Sequence, residues 1–159
     1  MNITFIIDIS GSLDIKSIEE MVNKSMEAVE EYYPSVTSIN IHEFNYKIHQ
    51  SFSLSVKNST YNVEDTGGCT SLYDIIHIIF SGMKKSNHLI LIFSDGEDNN
   101  SIMSREDTVE TLKYYNKFWD ILLINPKRNR EYTIDELPKK RKPKWRLKIP
   151  DIKDEKLRK

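Results

Sequence analysis

Three short stretches carry oxygen-bearing side chains at spacings that could build one site: Asp8-Ile9-Ser10-Gly11-Ser12, Gly67-Gly68-Cys69-Thr70 and Ser94-Asp95-Gly96. Asp8, Ser10 and Ser12 alternate within five residues, and Thr70 and Asp95 follow far downstream. Two carboxylates and three hydroxyls make an all-oxygen donor set. Hard divalent cations such as Mg²⁺, or Mn²⁺ in its place, favour such donors, with octahedral geometry and retained water. Neutral hydroxyls donate less charge than carboxylates, so a cation held this way keeps Lewis acidity and favours an incoming carboxylate. Four of the five glycines lie in these stretches, where tight turns and close backbone approach serve a site.

For these groups to meet, the chain must deliver them to one edge. Ile3 to Ile7 is a nearly continuous apolar run ending in Asp8, and His88 to Phe93 is another, ending in Ser94 and Asp95. Such runs read as strands buried on both faces of a parallel sheet, each with a carboxylate at its C-terminal end. Phe118 to Ile124 reads as a third buried strand, and Ser38 to Phe44 with Lys47 to Leu54 as a hairpin turning at Asn45 and Tyr46. Ile15, Ile18, Val22, Met26, Val29 and Tyr33 recur at helical spacing until Pro34. Ser71 to Gly82 and Arg105 to Lys117 read as two more helices, the latter opened by a capping box of Ser104 and Asp107. The alternation predicts an α/β, doubly wound, mostly parallel sheet with helices on both faces. In such folds ligands bind beyond the strand C-termini.

With these residues in view, the chain resembles the von Willebrand factor A domains and their metal-ion-dependent adhesion site. That motif is D-x-S-x-S after the first strand, a later Thr and a still later Asp, here Asp8, Ser10, Ser12, Thr70 and Asp95. Gly67-Gly68-Cys69-Thr70-Ser71-Leu72-Tyr73-Asp74 looks like the G-G-x-T-x-L-Y-D of intracellular and phage-type members, as does Ser94-Asp95-Gly96-Glu97-Asp98-Asn99. The similarity covers about residues 2 to 125. It implies that Ser10, Ser12 and Thr70 bind a metal directly while Asp8 and Asp95 act mainly through water, leaving a position for an acidic residue of a partner. It also implies an adaptor rather than an enzyme, working beside an ATPase or in another multiprotein assembly. Family members commonly continue through a further helix and strand, whereas here Pro126 and a basic, proline-bearing segment follow.

Composition sets the remaining bounds. At 159 residues, 38% hydrophobic and 30% charged, the chain suits one soluble globular domain. Residues 1 to 124 hold 9 Lys/Arg against 18 Asp/Glu, and residues 125 to 159 hold 14 against 6. Four of the five prolines also lie in the second stretch, so we expect a domain over 1–125 and a basic extension over 126–159. No apolar run reaches the roughly 18 residues of a spanning helix, and Ile3 leaves no room for a secretion signal. The single cysteine, Cys69, excludes an intramolecular disulfide and a cysteine-rich zinc site, which fits a reducing cytoplasm.

Plainer readings and rival functions stand beside the metal site. Asp8 and Asp95 could merely cap strand-to-helix turns, but a lone cap does not account for five matching positions. His42, His49, His77 and His88 lack the paired spacing of a zinc site and read as structural. Cys69 reads as a small loop filler, Asp74 as a helix residue, and Glu97 to Asn100 as a solvated loop. A haloacid-dehalogenase-type phosphohydrolase needs a second carboxylate two residues after its nucleophile, where this chain has Ser10. Lys139 to Arg146 joins positive charge to Trp145, as nucleic-acid-binding segments do, which makes a nucleic-acid-associated adaptor the main alternative.

Overall fold

The computed structural model describes residues 1–138. Its elements are β1 (Asn2–Asp8), α1 (Ile15–Tyr32), β2 (Ser38–Phe44), β3 (Ile48–Ser55), α2 (Leu72–Ser81), β4 (His88–Phe93), α3 (Arg105–Tyr115), β5 (Asp120–Asn125) and β6 (Arg130–Tyr132), then a 3₁₀ turn at Ile134–Glu136. The six strands form one sheet in the order β3-β2-β1-β4-β5-β6. The four inner strands are parallel, and the two edge strands β3 and β6 run antiparallel to their neighbours.

The apolar runs at β1 and β4 have a direct cause, because both faces of these central strands are covered. Ile3, Phe5 and Ile7 point into a core with Ile18, Val22, Met26 and Val29 of α1. Ile6, Ile90 and Ile92 point the other way, against α2 and Leu112 of α3. One helix thus covers one face and two cover the other. The fold is α/β and mostly parallel, as the strand and helix periodicities predict. β3 instead alternates between half-buried and exposed residues, as an edge strand does.

The local signals act mostly as expected. Asp14 caps α1 by accepting from Ser17 N at 3.0 Å, and the helix ends two residues before Pro34. The capping box expected at Ser104 is half formed. Ser104 Oγ accepts from Asp107 N at 3.0 Å, but Asp107 makes no return bond. Glu136, one methylene longer, does reach back to the N–H of Thr133 at 2.8 Å. Phe118, expected to open the third buried strand, instead lies in the turn after α3 and is exposed. Its neighbour Trp119 is captured there by stacking on Tyr115, with ring centroids 4.6 Å apart.

The sheet does not stop at Asn125. A turn through Pro126 and Asn129 (φ 55°) returns the chain as β6 along β5. Tyr132 and Leu137 are buried in the core beneath α2 and α3. An antiparallel strand therefore stands next to β5, and residues 126–138 add no further α-helix. The basic segment Lys139 to Arg146 lies outside the described residues. Among the described residues, no helix is long and apolar enough to cross a membrane.

Candidate metal centre

β1 connects through α1 to β2 on one side of the sheet, while β4 connects through α3 to β5 on the other. The crevice between the C-terminal ends of β1 and β4 is therefore the topological switch point, the usual ligand position in open α/β sheets. Ile7 pairs with Phe93, so Asp8 emerges beside Ser94 and Asp95.

Asp8 is fully buried. One carboxylate oxygen accepts from Ser10 N at 2.9 Å and the other from Ser94 Oγ at 2.7 Å. The first bond bends the chain sharply after β1, as an Asx turn does, so that Ser10 and Ser12 stay over the strand edge. Burial pushes the Asp8 carboxyl up to about 6. The Ser10 and Ser94 bonds pull it back down, and nearby Asp95 raises it again. Asp95 is also buried, and its two oxygens divide the local donors. Oδ1 accepts from Glu97 N at 3.1 Å, while Oδ2 accepts from Ser12 Oγ at 3.3 Å and faces Lys127 Nζ at 3.2 Å.

Thr70 reaches the site at the end of a long irregular loop, Val56 to Ser71, of a length that needs tethering to stay ordered. Tyr61 N donates to Asn23 Oδ1 at 2.8 Å and Val63 N to Glu19 Oε2 at 2.7 Å, both on α1. The buried Tyr61 hydroxyl donates to Glu43 of β2. Further along, Gly67 N donates to Ile9 O at 2.9 Å and Gly11 N to Gly68 O at 3.2 Å, closing this loop onto the Asp8 loop. Gly68 has φ +83°, which admits the turn beside Asn45. Thr70 N donates to Asn99 Oδ1 at 2.9 Å and Asn99 N to Thr70 O at 3.1 Å, closing it onto the Asp95 loop.

All five candidate residues therefore sit on three mutually bonded loops at one sheet edge. Direct side-chain bonds link Ser12 with Asp95, and Asp8 is joined to the Asp95 loop through Ser94. Among the described residues, no hydrogen bond joins the Thr70 hydroxyl to either carboxylate; Thr70 is placed through its backbone. Among the same residues, no three His, Cys, Asp or Glu side chains cluster for a metal. A cation here would depend on hydroxyls as well as two carboxylates. One observation bears on that fit: the Ser10 hydroxyl is wholly buried and, although it lies near enough to help lower the Asp8 carboxyl, it makes no hydrogen bond of good geometry. A buried hydroxyl without a partner is costly, and an electropositive ligand would satisfy it.

Several residues that shape the site have no signal in the motif itself. Ser94 was legible only as a neighbour of Asp95, yet it is the donor to Asp8. Tyr132 donates to Ser94 O at 3.0 Å from β6. Burial, with Asp95 and Asp8 close by, holds its phenol far above the ordinary value, so it stays a donor. Lys127 belongs to a stretch read as an extension, and only the adjacency of β5 to β4 reveals its position. The loop Glu97 to Asn100 is not uniformly solvated. Asp98 is buried and accepts from Tyr73 N at 2.9 Å and Ser101 Oγ at 2.6 Å, supporting the start of α2. Asp74 is structural as expected, accepting from Ile102 N and Met103 N. Cys69 is exposed.

No protein-family model matches the sequence, and no curated protein matches it. Solved structures do match. One is the crystal structure of the ArnB paralog VWA2 from Sulfolobus acidocaldarius, with a TM-score of 0.51 and 18% sequence identity. The match covers 79% of this chain and 34% of that one, so this chain spans about a third of that protein's length. At that identity the likeness is one of fold: a mostly parallel sheet between helices, similar to that of a VWA protein.

Proposed function

We propose that the chain is a divalent-cation-dependent interaction module of the von Willebrand factor A type, which captures an Asp or Glu side chain of a protein partner. The observation that carries this reading is the buried Ser10 hydroxyl, which makes no formed hydrogen bond beside the buried Asp8, on loops that also bring the buried Asp95 to the switch point. Ser10, Ser12 and Thr70 would hold Mg²⁺ or Mn²⁺, with Asp8 and Asp95 completing its surroundings. When bound, the cation would supply a Lewis-acidic position for an incoming carboxylate.

The chain's own residues account for the rest. Ser94 and Ser10 N–H hold the Asp8 carboxylate in one orientation, and Glu97 N–H does the same for Asp95. The backbone bonds between the three loops fix the donors before any ligand arrives, which lowers the ordering cost of capture.

The test is affinity capture from the native host in Mg²⁺ or in EDTA, with the wild type and Thr70→Ala. A partner retained only by the wild type in Mg²⁺ is the expected result. Retention in EDTA would exclude the cation from the interaction.

A further inference from the structure

We propose, resting on the cation reading above, that Lys127 is a resident counter-ion of the site, which a divalent cation must displace. Its ammonium lies 3.2 Å from Asp95 Oδ2, the oxygen that also accepts from Ser12 Oγ. The two partners differ in environment: the Asp95 side chain is 5% exposed and that of Lys127 44%. A buried carboxylate without an opposite charge is costly, and Lys127 supplies that charge from the rim.

The backbone holds Lys127 there. β5 lies next to β4, so the turn after β5 opens at the sheet edge beside Asp95. Within the turn, Asn125 Oδ1 accepts from Lys127 N at 2.9 Å and from Arg128 N at 3.3 Å, and Pro126 is buried. The lysine stem thus starts from a fixed point while its tip remains free to move. A cation drawn to Asp95 would compete with the ammonium for one oxygen and repel it. The same structure offers the ammonium another place. A cleft between α1 and this turn is lined by Lys127 and Pro126 together with Glu20, Lys24 and Glu27 of α1, so two carboxylates face it against one other ammonium. Movement of Lys127 from Asp95 toward that cleft would leave Asp95 with an opposite charge in either state, the ammonium without the cation and the cation once it binds.

Calorimetric titration of the full chain with Mg²⁺ and with Mn²⁺ tests this, using the wild type, Lys127→Met and Lys127→Arg. Lys127→Gln serves as a second neutral variant. Both neutral variants should bind the cation about tenfold more tightly, within the usual range of coupling between two sites. Lys127→Arg should match the wild type. In EDTA the neutral variants should melt at lower temperature than the wild type, and Mg²⁺ should raise their melting temperature more. Equal or weaker affinity in the neutral variants overturns the proposal and leaves the cation reading standing. Uptake by none of the folded proteins overturns both.

Discussion

The Ser94 hydroxyl donates to Asp8 Oδ2 at 2.7 Å, across 86 positions of sequence, and so ties the end of β4 to the end of β1. Neither residue is on the surface. The bond spans the crevice where a ligand would sit, and it couples the carboxylate of the first motif stretch to the third. Ser94 is itself steadied from β6, where the Tyr132 hydroxyl donates to its carbonyl.

Removing that donor leaves a buried carboxylate oxygen unpaired. Ser94→Ala should therefore lower the unfolding free energy by roughly 1–3 kcal/mol. Urea denaturation of the two proteins measures this. In the cation reading the same variant should also weaken Mg²⁺ uptake, because a positioning partner of a metal-site carboxylate is lost.

The raised Asp8 carboxyl predicts an unusual pH profile for the metal-free chain. Its folded value of about 6 lies above the ordinary 3.8, so folding favours the protonated form. The associated stability is fully present below pH 3.8 and is lost as pH rises through about 6. The difference amounts to roughly 3 kcal/mol. Asp8→Asn removes the titration while keeping the shape, so its stability relative to wild type in EDTA should improve as pH rises from 4 to 7. A gap that stays constant over that range would show that Asp8 does not carry the effect.

Gly96 and Gly11 make a contrasting pair. At Gly96, φ is +81°, and an added Cβ would lie 2.7 Å from Pro138 Cδ and 3.2 Å from the Tyr132 hydroxyl. At Gly11 the nearest atom would be 3.7 Å away, an ordinary contact. Gly96→Ala should cost about 1–3 kcal/mol through backbone strain, plus the displacement of Pro138. Gly11→Ala should fold nearly as the wild type does. Thermal melting of both variants separates the two cases.

The same contrast marks what the sequence makes legible. β1, β4 and α1 could be read because buried parallel strands and an amphipathic helix leave strong periodic patterns, and Pro34 stops α1. Asp8, Ser10 and Ser12 could be read because a compact spacing follows a strand end. β6 could not, since three residues paired on one side carry no period, and Arg130 and Glu131 disguise Tyr132 as part of a charged tail. Lys127 escaped for a related reason. Its partner Asp95 is brought near by strand order, which local spacing does not encode. Asp98 departs from the expected solvated loop: an acidic, asparagine-rich stretch usually faces solvent, whereas here the carboxylate turns inward to the N–H of Tyr73.

Thr70 offers the sharpest separation of binding from folding. Its backbone N–H and carbonyl are both engaged by Asn99, while its hydroxyl bonds to neither carboxylate of the site. Truncating the side chain therefore leaves the loop's attachments in place. Thr70→Ala should unfold within about 1 kcal/mol of the wild type in EDTA, as variants outside the main destabilising classes do. If the hydroxyl is a cation ligand, the same variant should lose more than about tenfold in Mg²⁺ or Mn²⁺ affinity, and Thr70→Ser, which restores the oxygen alone, should recover most of it. Paired calorimetry and denaturation decide the matter: a Thr70→Ala protein that binds the cation as tightly as the wild type would remove Thr70 from the metal site, whatever its stability.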